Sequence, residues 1–216
     1  MPTSTIHGTT LGMQLGLPRG VAARLAALGT PERIQDFVGR LRWNHETDGP
    51  TARSVVETLR VGEAHCVEAA FVAALSLWLA GEPPLLLDLG AARGDVDHVV
   101  ALFRRGGLWG AVSKSNSPFL RYREPMHRSL RELALSYFPF YMRKRRKTLR
   151  SYSLPVDLRR HDAALWVTRQ GFCHELVDSL TGARHYPLLT RQAEKGLRAI
   201  DAVEARANLV KEYPAG

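Results

Sequence analysis

Residues Cys66 to Ala80, CVEAAFVAALSLWLA, constrain the fold of this chain more than any other stretch. Glu68 and Ser76 are the polar exceptions, so a helix over this segment has no face to offer water and belongs at the centre of a molecule. Its most apolar part, Ala69 to Ala80, is shorter than the roughly 18 to 20 residues that span a membrane. Gly81 and the Pro83-Pro84 pair end it. The rest of the chain must therefore wrap it. With 216 residues, 45% of them hydrophobic, there is material for a full core and no need of disulfide staples. Cys66 and Cys173 are far apart and no recognisable secretory leader precedes them, which predicts free thiols in a reducing, cytoplasmic setting.

Upstream, Gly and Pro interrupt residues 1–17, which read as a loosely ordered lead-in to a single domain over 18–216. Arg19 to Leu28 suits a short helix stopped by Gly29. Thr30, Pro31 and Glu32 are start signals for the next helix, whose apolar stripe is Ile34, Phe37, Val38 and Leu41. Ser54 followed by Glu57 predicts a capped turn or two before Gly62. Downstream, Leu85–Leu89, Val96–Phe103 and Leu108–Ser113 read as strands, the last two joined through RRGG as an antiparallel hairpin. Beyond Pro118 the chain reads as mainly helical, with helices at Ser129–Tyr137 and, amphipathic, at Arg191–Val210. The expectation is α+β, a buried helix packed on a small antiparallel sheet with helical flanks.

Chemistry enters with Cys66, at the start of the central helix. Unpaired amide N–H groups and the positive end of the macrodipole both favour thiolate there. Such a thiolate needs a proton acceptor. His65 is adjacent, but successive helical residues point about 100° apart, which makes it a poor partner. His98, in DVDHVVALF, is the better candidate, because its strand is expected beside the helix. Alternation puts it on the face of Val100 and Leu102. A four-residue turn over Arg104–Gly107 places Ser113 opposite His98, whereas a two-residue Gly106-Gly107 turn places Ser115 there.

The pieces SVVETLRVGEAHCVEAAFVAAL, DVDHVVALF and RRGGLWGAVSKSN occur in an order that resembles the transglutaminase-like superfamily, circularly permuted relatives of papain-type cysteine peptidases. The resemblance covers roughly 31–116, and the following LRYREPMHRSLRELALSYF is similar to bacterial transglutaminase-like proteins of unassigned activity. It implies Cys66 as nucleophile and His98 as general base. The family's third residue is usually an aspartate a few positions after the tryptophan of the last strand. Counting from Trp109 reaches Ser113, then Lys114, Ser115 and Asn116, with no acid among them. Ser113 by a neutral hydrogen bond, or Asn116 as an asparagine does in papain-type enzymes, remains to orient the ring. The Cys66 amide is the natural first oxyanion donor, and Trp43 and Asn44 stand upstream at a plausible distance for a second.

The implied activity is thiol-dependent acyl transfer at an amide or ester of a peptide or small molecule, without metal or organic cofactor. The alternative is an inactive transglutaminase-like module that binds an acidic partner. Twelve Arg and Lys between Arg121 and Arg160 stand against Glu124, Glu132 and Asp157, which is the whole net excess of +9, and make an acidic substrate reasonable. Arg143–Lys147 is an unbroken basic run, but no nucleic-acid motif accompanies it, and such runs are mostly solvated. The pairs His65-Cys66 and Asp97-His98 lack the spacing that delivers two ligands to one zinc.

Overall fold

In the computed structural model, residues 2–213 are described, with side chains from Thr5 onward. Helices α1 (Pro2–Gln14), α2 (Arg19–Ala26) and α3 (Pro31–Gly39), strand β1 (Arg42–Trp43), α4 (Val55–Val61) and β2 (Glu63–Ala64) lead to the central helix α5 (Cys66–Leu79). Strands β3 (Leu85–Ala91), β4 (His98–Arg105), β5 (Leu108–Val112) and β6 (Arg123–His127) follow, then α6 (Leu130–Tyr137). The chain closes with β7 (Met142–Arg143), β8 (Arg146–Lys147), β9 (Leu149–Ser153), β10 (Val156–Asp157), α7 (His174–Thr181), β11 (His185–Pro187), α8 (Arg191–Lys195) and α9 (Ala202–Asn208). No helix among the described residues is long and apolar enough to cross a membrane.

The start signals act as expected. Thr30 Oγ1 accepts from the Arg33 amide with Pro31 at the first helical position, and Ser54 accepts from the Glu57 amide before Gly62, at φ 76°, ends α4. Helix α5 is buried on all sides from Val67 to Leu77, and Ser76 satisfies its hydroxyl on the Val72 carbonyl at 2.8 Å. Helices α1 to α4 cover one side of α5, and a seven-stranded antiparallel sheet covers the other. The main path of the sheet is β11-β9-β3-β4-β5-β6, with β10 also paired to β3. Alternation along β4 divides the core in two. Val99, Ala101 and Phe103 join the α5 cluster, while Val100 and Leu102 join a second cluster under α6.

Three expectations are corrected. The N-terminal segment forms helix α1 instead of a loose lead-in, because its glycines serve close packing. A Cβ on Gly8 would meet the Leu79 carbonyl oxygen at 2.3 Å, and one on Gly12 would meet the Ala22 Cβ at 2.8 Å. The sheet is larger than a three-stranded unit, since β6, β9, β10 and β11 come from the half expected to be mainly helical. Arg191–Val210 is two short helices. Gly196 ends the first, and Ile200 leaves helical pairing to donate its N–H to the Arg145 carbonyl at 3.0 Å and accept from Arg145 Nε at 2.9 Å. Of the two turns the sequence allows between β4 and β5, the structure has the two-residue Gly106-Gly107 form, both glycines at positive φ, with Arg105 paired to Leu108.

The basic run Arg143–Lys147 is an exposed hairpin between β7 and β8, turning at Lys144 and Arg145 with φ of 46° and 63°.

Candidate functional site

The site is built around the first turn of α5. Strand β1 pairs in parallel with β2, Trp43 opposite Ala64, which draws the loop after Trp43 alongside the helix start. His65 is the N-cap, with extended backbone at φ −94° and ψ −168°, so its ring folds back over the helix end. Its Nδ1 accepts from the Val67 amide at 3.3 Å, and its Nε2 contacts the Thr51 carbonyl at 3.0 Å. Glu68 completes a capping box by accepting from the His65 amide at 3.2 Å. This carboxylate is fully buried, and it also accepts from Asn44 Nδ2, Thr51 Oγ1, the Arg53 amide and the Arg53 guanidinium. A charge so placed is tolerable only because both oxygens are saturated with donors. Glu68 thus ties the Asn44–Arg53 loop to the helix that carries the cysteine.

Cys66 is the first residue of α5, free and partly exposed. Its Sγ lies 3.8 Å from His65 Nδ1. Burial works against the thiolate, but the neighbouring imidazoles of His65 and then His98 outweigh it and hold the thiol down to about 5. The helical-geometry reason for discounting His65 fails because His65 precedes the helix. A capping residue has a non-helical backbone, and this one brings its ring to the sulfur of the next residue. Burial lowers the basicity of His65, but the Cys66 sulfur and the Glu68 and Glu46 carboxylates reverse that and raise it to about 9. The ring has one lone pair for two uses. Neutral, Nδ1 caps Val67; protonated there, it gives up the cap and pairs with the thiolate.

His98 opens β4 and is buried, its ring edge-on to Tyr137 with centroids 6.2 Å apart. Its Nε2 lies 2.6 Å from Ser113 Oγ and 2.9 Å from the Leu120 carbonyl oxygen, and Ser113 Oγ donates to the same carbonyl at 2.9 Å. A carbonyl only accepts, so Nε2 carries a hydrogen and Ser113 Oγ accepts from it. The neutral ring therefore keeps its lone pair on Nδ1, free to take a proton from sulfur. This is the orienting task an aspartate performs in a triad, carried out by a serine and a backbone oxygen. Ser113 reaches His98 although the hairpin register is the one that would set Ser115 opposite, because β5 leaves the ladder after Val112. Ser115 Oγ instead accepts from the Ser117 amide.

Asn116 does not orient His98. Its side chain donates to the Tyr213 carbonyl and accepts from the Tyr213 amide, both at 2.8 Å, and its own carbonyl accepts from Glu212, so it fastens the C-terminal segment beside the site. Lys114 points away as alternation requires, donating to the Leu41 carbonyl at 2.6 Å and the Gly39 carbonyl at 3.3 Å; burial pushes its ammonium down to about 8. Both hydrogens of the Asn44 amide are spent on Thr51 and Glu68, so Asn44 is not a free oxyanion donor. The Cys66 amide stands at the first helical position, where helix geometry leaves N–H groups without an intrahelical acceptor.

A cleft of about 740 Å³ contains Cys66, His65 and His98, with Trp43, Leu120 and Tyr141 among its apolar walls. Its charged lining is mainly acidic, Glu46, Asp88, Asp95 and Asp97, with Lys211 and the His65 imidazole as cations. The chain's positive excess lies elsewhere, largely on the β7–β8 hairpin and the surface around α8. No group of three or more His, Cys, Asp or Glu among the described residues is arranged to hold a metal ion. Of the residues found here, His65 and Glu68 carried a readable capping pattern, X-x-x-Glu before an apolar run, masked by histidine being an uncommon cap. Asp88, the one acid inside β3, was visible as a break in an apolar strand. No protein-family model and no curated protein sequence matches the chain.

Proposed function

We propose that this chain is a transglutaminase-like thiol enzyme, working in the cytoplasm, that transfers an acyl group from an amide or ester through Cys66 and His98. The observation that carries the reading is the fixed His98 tautomer, with Nε2 held by Ser113 and Leu120, beside a thiol drawn down to about 5. The thiol proton passes to the His98 Nδ1 lone pair as the thiolate forms. The thiolate attacks the carbonyl carbon, and the Cys66 amide stabilises the oxyanion that forms. The C–N or C–O bond then breaks as His98 Nδ1–H protonates the leaving group, giving an acyl-enzyme. Water or an amine, losing its proton to His98, releases the acyl group as acid or amide. The order of buried helix, strand, histidine-bearing strand and hairpin supports the permuted papain-like assignment.

Incubation with p-nitrophenyl acetate tests the reading. A burst of p-nitrophenolate with an acetyl group on Cys66, both lost in His98→Ala, is expected. Absence of any Cys66 adduct, or equal acylation in His98→Ala, would reject it in favour of the second reading. That reading is a binding module without turnover, and the neutral character of the Ser113 and Leu120 pair on His98 favours it, since no carboxylate compensates an imidazolium there.

A further inference from the structure

Asp88 is 1% exposed and lines the same cleft as Cys66. Its Oδ2 meets His185 Nε2 at 3.2 Å, while Oδ1 is buried with no hydrogen-bond partner. The other acids of the cleft are engaged: Glu46 by the Thr51 amide, Asp95 by Thr148 and the Val96 amide, Asp97 by the Ala91 amide. A buried carboxylate oxygen left without a donor is costly, and a bound water or ion is one way such an atom in a folded protein is satisfied. Burial and the neighbouring Asp97 push the Asp88 carboxyl up to about 6, with His185 pulling the other way. A bound cation is the partner that restores its charge. We infer that Asp88 is a specificity residue of the cleft and anchors a cationic, alkylammonium-type group of the acyl donor.

This rests on the acyl-transfer reading and reverses the expectation of an acidic substrate, which followed from a net charge located outside the cleft. An ammonium held by a carboxylate is protonated and is no nucleophile, so the anchored group belongs to the molecule that Cys66 attacks and not to an accepting amine. Lys211, exposed at the cleft rim, and the His65 imidazole beside the sulfur are the competing cations.

The test uses three methanethiosulfonates that place a small group on the Cys66 sulfur: 2-aminoethyl (cationic), methyl (neutral) and 2-sulfonatoethyl (anionic). Rates at Cys66, located by mass spectrometry, are divided by each reagent's rate with 2-mercaptoethanol. The expected order is cation, neutral, anion, with a cation-to-anion ratio on the order of tenfold or more above the free thiol. Asp88→Asn should bring that ratio within about threefold of the free thiol. His185→Gln, which keeps a donor to Oδ2 and removes the imidazole, should hold or raise it. A wild-type ratio equal to that of the free thiol, or a preference that survives in folded Asp88→Asn, would overturn the inference. If Asp88→Asn fails to fold, the wild-type ratio decides. Failure of the acyl-transfer reading would show separately, as slow absolute rates with all three reagents.

Discussion

The two cysteines each open a helix, and their thiols are displaced in opposite directions. Cys66 is the first residue of α5 and is held down to about 5; Cys173 is the N-cap of α7 and is pushed up to about 11. A helix N-terminus is common to both, so the macrodipole is not what separates them. Cys173 is fully buried and its thiol donates to the Leu165 carbonyl at 2.8 Å, a bond that exists only while the proton stays on sulfur. Cys66 has two imidazoles instead, one placed by a capping turn and one by a strand. Reactivity in this chain comes from proton acceptors brought to sulfur by separate elements.

The largest break in that comparison is expected from His98→Ala. Losing the general base should lower acyl transfer by about 10² to 10⁴-fold. His65→Ala should raise the thiol's midpoint while costing turnover much less, because His98 remains. Steady-state rates and iodoacetamide profiles on both variants separate the two roles. Next is Glu68→Gln, which turns a donor-saturated buried carboxylate into an amide facing donors, at a cost of about 3 kcal/mol in urea unfolding. A loss below about 1 kcal/mol would show that the loop does not depend on it.

Ser113→Ala is smaller. It removes one hydrogen bond from His98 and leaves the Leu120 carbonyl, so a loss of about tenfold in acyl transfer is expected, with little change in stability. Cys173→Ser, which keeps a donor to Leu165, should change stability by no more than about 1 kcal/mol and leave the Cys66 profile unaltered.

Stability should follow pH in the same opposed sense. The folded Cys66 value lies below its ordinary 9, so its contribution is present above that value and is lost as pH falls through about 5. The folded His65 value lies above its ordinary 6.5, so its contribution is present below 6.5 and is lost as pH rises through about 9. Between about 6.5 and 9 the two slopes oppose each other, which leaves a net rise between about 5 and 6.5. Urea midpoints across that range should show the rise in the wild type and a weaker one in Cys66→Ser.

Much of this was legible in the sequence where local signals and packing agreed. Thr30-Pro31, Ser54 with Glu57, and the apolar run after Cys66 each specify a boundary through the chemistry of helix ends. The readings failed where packing overrode a local signal. Gly8 and Gly12 look like helix breakers, yet in α1 they are the residues that permit contact. Ile200 looks like one more member of a helical stripe, yet it is the residue buried against Arg145, while Val203 and Leu209 stay exposed. In the site, Cys66 and His98 could be found because a nucleophile and a base are distinctive residue types. Ser113 depended on where β5 leaves its ladder. Asp88 was overlooked because one acid in a strand acquires meaning only when its empty oxygen and the cleft are seen together.

The central claim is that proton acceptors, and not the helix end, make Cys66 a thiolate. The most direct test is the pH dependence of iodoacetamide alkylation at Cys66 in wild type and His98→Ala, with Cys173 as the internal reference. At pH 7 the thiolate fractions of the two cysteines differ by about 10⁴, and the weaker nucleophilicity of the more acidic thiolate gives back two to three powers of ten, leaving about tenfold or more before burial protects Cys173 further. The account predicts a Cys66 midpoint near 5, shifted upward in His98→Ala, and an unreactive Cys173 in the folded protein. A Cys66 midpoint at the ordinary thiol value, unmoved by His98→Ala, would contradict it.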